Sequence, residues 1–149
     1  MEEKFMLLAI EQALKAQKKD EVPIGAVIVL NGKIIAKAYN LMEKKQKATA
    51  HAEILAINKA CKKLKSWRLL DCEMYVTLEP CPMCAGAIAN ARMKKVYFGA
   101  YELKSGCAQS KYRVLTDSGL NHSVEYQGGV MEEKCSQILK EYFRQKRGK

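Results

Sequence analysis

Two fragments thirty residues apart constrain this 149-residue chain more tightly than anything else in it: His51-Ala52-Glu53 and Pro80-Cys81-Pro82-Met83-Cys84. Between them they offer three ligands of the kind zinc prefers, His51, Cys81 and Cys84, and one carboxylate beside them. Cys81 and Cys84 stand three apart, which puts both sulfurs on one face if Pro82 opens a helix. The positive end of that helix stabilises thiolates, the form that binds metal. His51 is placed at the start of another helix, so two helix N-termini could converge on one ion.

A structural zinc site closes its tetrahedron with four protein ligands, whereas a catalytic one keeps a position open for water. Three ligands plus a carboxylate is the inventory of a hydrolytic zinc enzyme. Glu53 is two residues from His51, so on a regular helix the two side chains point apart, which argues against Glu53 as a ligand. As a group reaching round to the open position, it is expected to take a proton from zinc-bound water and deliver it to a ring nitrogen and a leaving amine. The competing arrangement is a structural staple with Cys61, Cys72, Cys107, Cys135 or His122 as fourth ligand. None of these stands at metal-ligand spacing, and the staple leaves Glu53 without a task.

Elements can be placed around these fragments. Phe5, Leu8, Ala9, Ala13 and Ala16 predict a helix from Glu2 to about Asp20, ended by Pro23. Ala26 to Leu30 reads as a strand covered on both faces. Asn31-Gly32 is a tight hairpin turn into a second strand, Lys33 to Tyr39. A helix is expected from a Thr49 cap to Lys65, then a strand from Met74 to Leu78, a small-residue helix from Pro82 to Arg92 and a strand from Lys95 to Gly99. A long loop with Gly106 and Gly119 leads to an extended piece near Val124. A basic C-terminal helix, about 130–147, carries Cys135, Ile138, Leu139 and Tyr142 on one stripe. Trp67 reads as core, and so does Phe143 by periodicity alone. Alternating strands and helices imply an α/β sheet covered by helices.

The size suits one domain over residues 1–149, and 48% apolar content with 28% charge argues against disorder. No apolar run is long enough to span a membrane, and the acidic N-terminus does not read as a signal peptide, so the expected location is the cytoplasm. The six cysteines then read as thiols and metal ligands rather than disulfides. A net charge of +10 bears on partners. Its clusters at Lys44, Lys45 and Lys47, at Lys59–Lys65 and at Lys140–Lys149 are individually solvated faces, and together raise the case for a polyanionic substrate.

His51-Ala52-Glu53 with the block from Thr77 to Ile88 resembles the signature of zinc-dependent nucleoside and base deaminases, the cytidine/deoxycytidylate deaminase superfamily. The wider text is similar to its bacterial tRNA-specific adenosine deaminase branch over nearly the whole chain. That likeness runs through Glu21-Val22-Pro23-Ile24-Gly25-Ala26-Val27, Asn40, Leu120-Asn121-His122, Gly129-Val130 and Tyr142-Phe143-Arg144 with Arg147. The resemblance implies a cytidine-deaminase-like three-layer α/β/α fold with a mixed sheet of about five strands. It implies one zinc ion per subunit on His51, Cys81 and Cys84, with Glu53 as proton shuttle. The implied reaction is hydrolytic deamination of adenosine to inosine at the wobble position of tRNA, in particular the arginine tRNA with an ACG anticodon, by the established route of this enzyme class.

Residue by residue, the resemblance has Asn40 bonding the flipped base and the backbone of Ala52 and the Glu79-Pro80 turn lining the pocket. Lys104, Asn121, His122, Phe143 and Arg147 meet the anticodon stem-loop. Glu102 departs from the family pattern, which usually has Asp there; it keeps the acceptor but is one methylene longer than the residue that contacts the ribose beside the target base. Without the family, Asn40 reads equally as a turn residue and His122 as a loop histidine. A homodimer is also implied, and the small-residue Ala85–Ala91 helix would allow close packing. An unpaired wobble base is easily splayed out, which suits such a pocket. Two other functions share the metal motif: deamination of a free base or nucleoside such as guanine or cytosine, and a non-catalytic zinc-stabilised RNA-binding module.

Overall fold

The computed structural model describes residues 2–116 and 122–148. Helix α1 (Glu2–Lys18) buries Phe5, Met6, Ala9, Ile10, Ala13 and Ala16 along one face. Its ends match the helix dipole, with Glu2 and Glu3 in the first turn and Lys15 and Lys18 in the last. Strand β1 (Gly25–Leu30) is buried at every position but its last, as its continuous apolar run requires. It turns through Asn31 and Gly32, at φ of 51° and 77°, into β2 (Lys33–Tyr39), an antiparallel partner. Positive φ at both turn residues is what a right-twisted two-residue hairpin needs.

A one-turn helix α2 (Met42–Lys45) follows that the sequence did not announce. Helix α3 (Ala52–Leu64) begins at His51 rather than Thr49. Thr49 is taken up by the preceding turn, where its carbonyl accepts from the His51 N–H at 2.8 Å, so the helix start moves to the next residues. Strand β3 (Cys72–Leu78) leads into α4 (Pro82–Asn90), β4 (Lys95–Ala100), the short β5 (Glu125–Gln127) and finally α5 (Glu132–Arg147).

The five strands order as β2-β1-β3-β4-β5, antiparallel among the first three and parallel from β3 to β5. This mixed sheet is the middle of three layers. On one face Ala26, Ile28, Met74, Val76 and Phe98 pack with Ala52, Ala56 and Ala60 of α3 and Ala85 and Ile88 of α4. On the other, Val27, Val29, Tyr75 and Tyr97 pack with Phe5, Met6 and Ile10 of α1 and with Cys135 of α5. Tyr75 and Tyr97 stack there at 4.4 Å between centroids, with Phe5 tilted against Tyr75. The cytidine-deaminase-like α/β/α expectation is met.

Two side chains expected in the core lie outside it. Trp67 is 53% exposed, with the Arg68 guanidinium 4.4 Å from its ring centre. Helix α3 ends at Lys65 in the left-handed conformation, which turns Trp67 outward and leaves Leu69 to fill the core. Phe143 is 43% exposed, because one step of about 100° around α5 carries it off the stripe that buries Cys135 and Tyr142.

Candidate active site

The site forms at the carboxyl end of β3, where open α/β sheets bind ligands. Leu78 ends the strand, Glu79-Pro80 turns the chain, and Cys81 caps α4 with Pro82 as its first residue. His51 caps α3 in extended backbone, at φ −75° and ψ 152°. Neither residue makes a side-chain capping bond, and both side chains face the gap between the helices. His51 Nδ1 lies 3.7 Å from Cys81 Sγ and 3.4 Å from Cys84 Sγ. The three ligand atoms all fall within 4.8 Å of one another, with Cys84 fully buried. A tetrahedral zinc with arms of roughly 2.0–2.1 Å to nitrogen and 2.3 Å to sulfur sets such edges at about 3.5 Å. The donor set and its spacing fit a zinc ion, and no fourth His, Cys, Asp or Glu joins the group among the described residues.

Glu53, 4% exposed, sits in the first turn of α3. It does not join the three ligands. Burial pushes its carboxyl up to about 7, with the Cys81 charge adding to the shift and His51 opposing it. Cys81 is held down at about 4, chiefly by its hydrogen bond with Cys84, and Cys84 is pushed up by the same bond and by burial. The hydrogen bond to Cys81 raises His51. The triad thus carries thiolate character before any ion binds.

Beside the triad opens a cavity of about 510 Å³, with His51 in its wall. Asn40 and Ala52 line it, as do Glu102, Phe143 and Arg147, together with Val22, Ile24, Met42, Leu78, Ala100, Tyr101, Ser136, Leu139 and Lys140. Asn40 is held by its own amide, which donates to the Val22 carbonyl and accepts from the Met42 N–H, each at 3.3 Å. Ala52 presents the first backbone position of α3. Helix α5 supplies one wall, with Phe143 flanked by Lys140 and Arg147 along the helix.

Other predicted residues stand apart from the cavity. Glu79 and Pro80 are buried behind it, the Pro80 carbonyl accepting from Cys107 N–H at 2.8 Å. Lys104 is exposed on the adjoining loop, its N–H bonded to the Glu102 carboxylate. His122 bonds the Met93 carbonyl at 2.8 Å, at the far end of β4, about 20 Å along the strand. Asn121 lies outside the described residues. Sequence reasoning missed Val22, Met42, Ser136 and Lys140 as wall residues, because no chemical motif marks them.

A family model described as MafB19-like deaminase matches residues 1–147. A tRNA-specific adenosine deaminase of Bacillus subtilis (strain 168) is 51% identical over 148 residues, 99% of this chain and 92% of that protein. A structure solved in a study of A-to-I editing by tRNA:A34 deaminases at the wobble position of transfer RNA superposes with a TM-score of 0.88 at 43% identity, covering 91% of this chain and 99% of that one. A guanine deaminase from Bacillus subtilis is more distant, at 32% identity and a TM-score of 0.65, covering 99% and 94%.

Proposed function

This chain belongs to the MafB19-like deaminase family and, within it, to the tRNA-specific adenosine deaminases, and we propose that it deaminates adenosine to inosine at the wobble position of tRNA. The observation that carries the reading is the His51–Cys81–Cys84 triad beside a cavity that has His51 in its wall and a basic helix along one side. The arginine tRNA with an ACG anticodon is the substrate we assign.

His51, Cys81 and Cys84 would hold one zinc ion, which would supply a Lewis acid able to lower a water molecule's pKa to roughly 7. Glu53, buried in the first turn of α3 two residues from His51, would serve as the general base toward the attacking water. It returns protons to a ring nitrogen of the base and to the departing amine. Adenosine and water give inosine and ammonia, with oxygen replacing nitrogen on carbon 6. Asn40, already fixed by Val22 and Met42, keeps hydrogen-bonding capacity to orient the base. Phe143 offers a face for an anticodon base, and Lys140 and Arg147 offer charge to its phosphates. Glu102 lines the wall where the ribose would rest. Lys104 and His122 contact RNA only where it extends beyond the cavity.

We further assign a homodimer acting in the cytoplasm as one catalytic unit over the whole chain. Helix α4 supports close packing, since a Cβ at Gly86 would meet nothing within 4 Å. No described helix is long and apolar enough to cross a membrane.

The test is ammonia release by zinc-loaded protein from an ACG anticodon hairpin, free guanine, free cytosine and adenosine, side by side. Turnover of the hairpin with no turnover of free bases is the expected result. Turnover of a free base alone would replace this reading with nucleobase deamination. Four protein ligands to the metal in X-ray absorption, with no turnover, would point to a binding module.

A further inference from the structure

Two carboxylates stand out because they are buried without a cation. Glu21 is 1% exposed and Glu79 is 2% exposed, and among the described residues neither makes an ion pair. An ionised carboxylate out of water is costly unless hydrogen bonds replace its hydration. Both obtain those bonds from backbone N–H groups of a segment distant in sequence, and both segments form part of the cavity wall.

The Glu79 carboxylate gathers the loop after β4. One oxygen accepts from the N–H groups of Ala108, Gln109 and Ser110 at 3.1, 2.8 and 2.9 Å. Three consecutive amides on one anion make a backbone nest. The other oxygen accepts from Glu102 N–H at 3.1 Å and from the Ser110 hydroxyl. Packing is close enough that a Cβ on Gly106 would lie 2.4 Å from the Glu79 carboxyl. The same loop carries Tyr101 and Glu102 into the cavity.

Glu21 gathers the segment after β2. Its two oxygens accept from Glu43 N–H at 3.1 Å and Lys44 N–H at 2.7 Å. These are first-turn donors of α2, whose own cap residue, Leu41, contributes no side-chain bond. The segment carries Asn40 and Met42 into the cavity. Each carboxylate also neighbours a wall residue in sequence, Glu21 beside Val22 and Glu79 beside Leu78. Each therefore ties one wall segment to another.

We propose that Glu21 and Glu79 are positioning residues for the substrate pocket, locking its 40–44 and 102–110 walls so that Asn40, Tyr101 and Glu102 face the bound nucleotide in one arrangement. Neither carboxylate touches substrate. Their effect passes through the backbone they hold, and this rests on reading the cavity as the nucleotide site.

The test uses full-length, zinc-loaded Glu21→Gln and Glu79→Gln. Gln keeps the size but loses the charge and turns an amide N–H₂ toward backbone donors. Amide hydrogen exchange resolved by residue should speed up at Ala108, Gln109 and Ser110 in Glu79→Gln and at Glu43 and Lys44 in Glu21→Gln, each variant leaving the other segment protected. On the ACG hairpin each should raise KM by about 10- to 100-fold, the scale of a small misplacement of binding groups, with kcat changed far less. Zinc content should stay at wild-type stoichiometry. Unchanged exchange, or a fall in Tm with KM unaltered, would overturn the positioning role. Loss of zinc from Glu79→Gln would overturn it too, by locating the effect at Cys81. Where a glutamine variant does not fold, the aspartate variant, one methylene too short to reach, gives the same paired readings. Failure of wild-type protein to deaminate the hairpin would refute the substrate reading, while the exchange experiment would still decide the clamps.

Discussion

Gly99→Ala is a sensitive probe of how the α5 wall is set. A methyl at Gly99 would lie 2.3 Å from Cys135 Sγ, 2.8 Å from Cys135 Cβ and 3.0 Å from the Thr77 carbonyl. Ordinary contact begins at 3.4 Å, so α5 has to withdraw from β4 by roughly 1 Å. Overpacking of this kind costs about 1–3 kcal/mol. Cys135→Ala alone removes one buried sulfur and should cost about 1 kcal/mol. The double variant removes the closest clash, so its cost should fall below the sum of the singles by about 1 kcal/mol or more. Urea unfolding in fixed excess zinc, with the slope m unchanged, measures all three. Gly99→Ala should also raise KM for the hairpin, because Ser136, Leu139, Lys140 and Phe143 ride on α5. Additivity of the two substitutions within about 0.3–0.5 kcal/mol would refute the contact as described.

Other outcomes follow from the same geometry. Glu53→Ala should lower kcat by at least roughly 10²- to 10⁴-fold while zinc content stays unchanged, measured by turnover and metal analysis on one sample. Phe143→Ala should weaken hairpin binding by about 1–3 kcal/mol, and Arg147→Ala should flatten the salt dependence of binding by about one ion, both read by titration at several salt concentrations. Burial raises the thiols of Cys72 and Cys107 to about 11 and of Cys135 to about 12, which leaves a thiolate fraction near 10⁻³ or less at about pH 8. Alkylation mapped by mass spectrometry should therefore reach Cys61 first and Cys81 only after chelation, with Cys72, Cys84, Cys107 and Cys135 labelled on unfolding. Chelation should also lower Tm, and added zinc should restore it.

Much of this arrangement is legible in the residues because local rules and global fold agree. Asn31-Gly32 encodes its turn, the Gly25–Leu30 run its burial, and Pro82 the start of the helix that aims Cys81 and Cys84. The His51–Cys81–Cys84 cluster is legible because few side-chain types can hold a metal ion. What escaped was decided by tertiary context. Thr49 has the chemistry of a helix cap, yet the turn around Lys47–Ala50 claims it and the cap falls to His51, which caps with no side-chain bond. Trp67 has the hydrophobicity of core, yet a left-handed Lys65 turns it out. Phe143 reads as core by periodicity alone, whereas the resemblance puts it at the anticodon, and it lies in the cavity wall. Glu21 and Glu79 look like surface acids in sequence, and their donors lie 22 to 31 residues away, beyond any local pattern.

The central claim is that the pocket whose wall includes His51, with Cys81, Cys84 and Glu53 behind it, deaminates a single adenosine of a folded RNA. Incubating zinc-loaded protein with unmodified arginine tRNA carrying the ACG anticodon, and sequencing the reverse-transcribed product, tests it most directly. An A-to-G change confined to the wobble position, absent with Glu53→Ala, is the predicted result. Unchanged sequence with zinc confirmed in place, or conversion scattered over other adenosines, would contradict it.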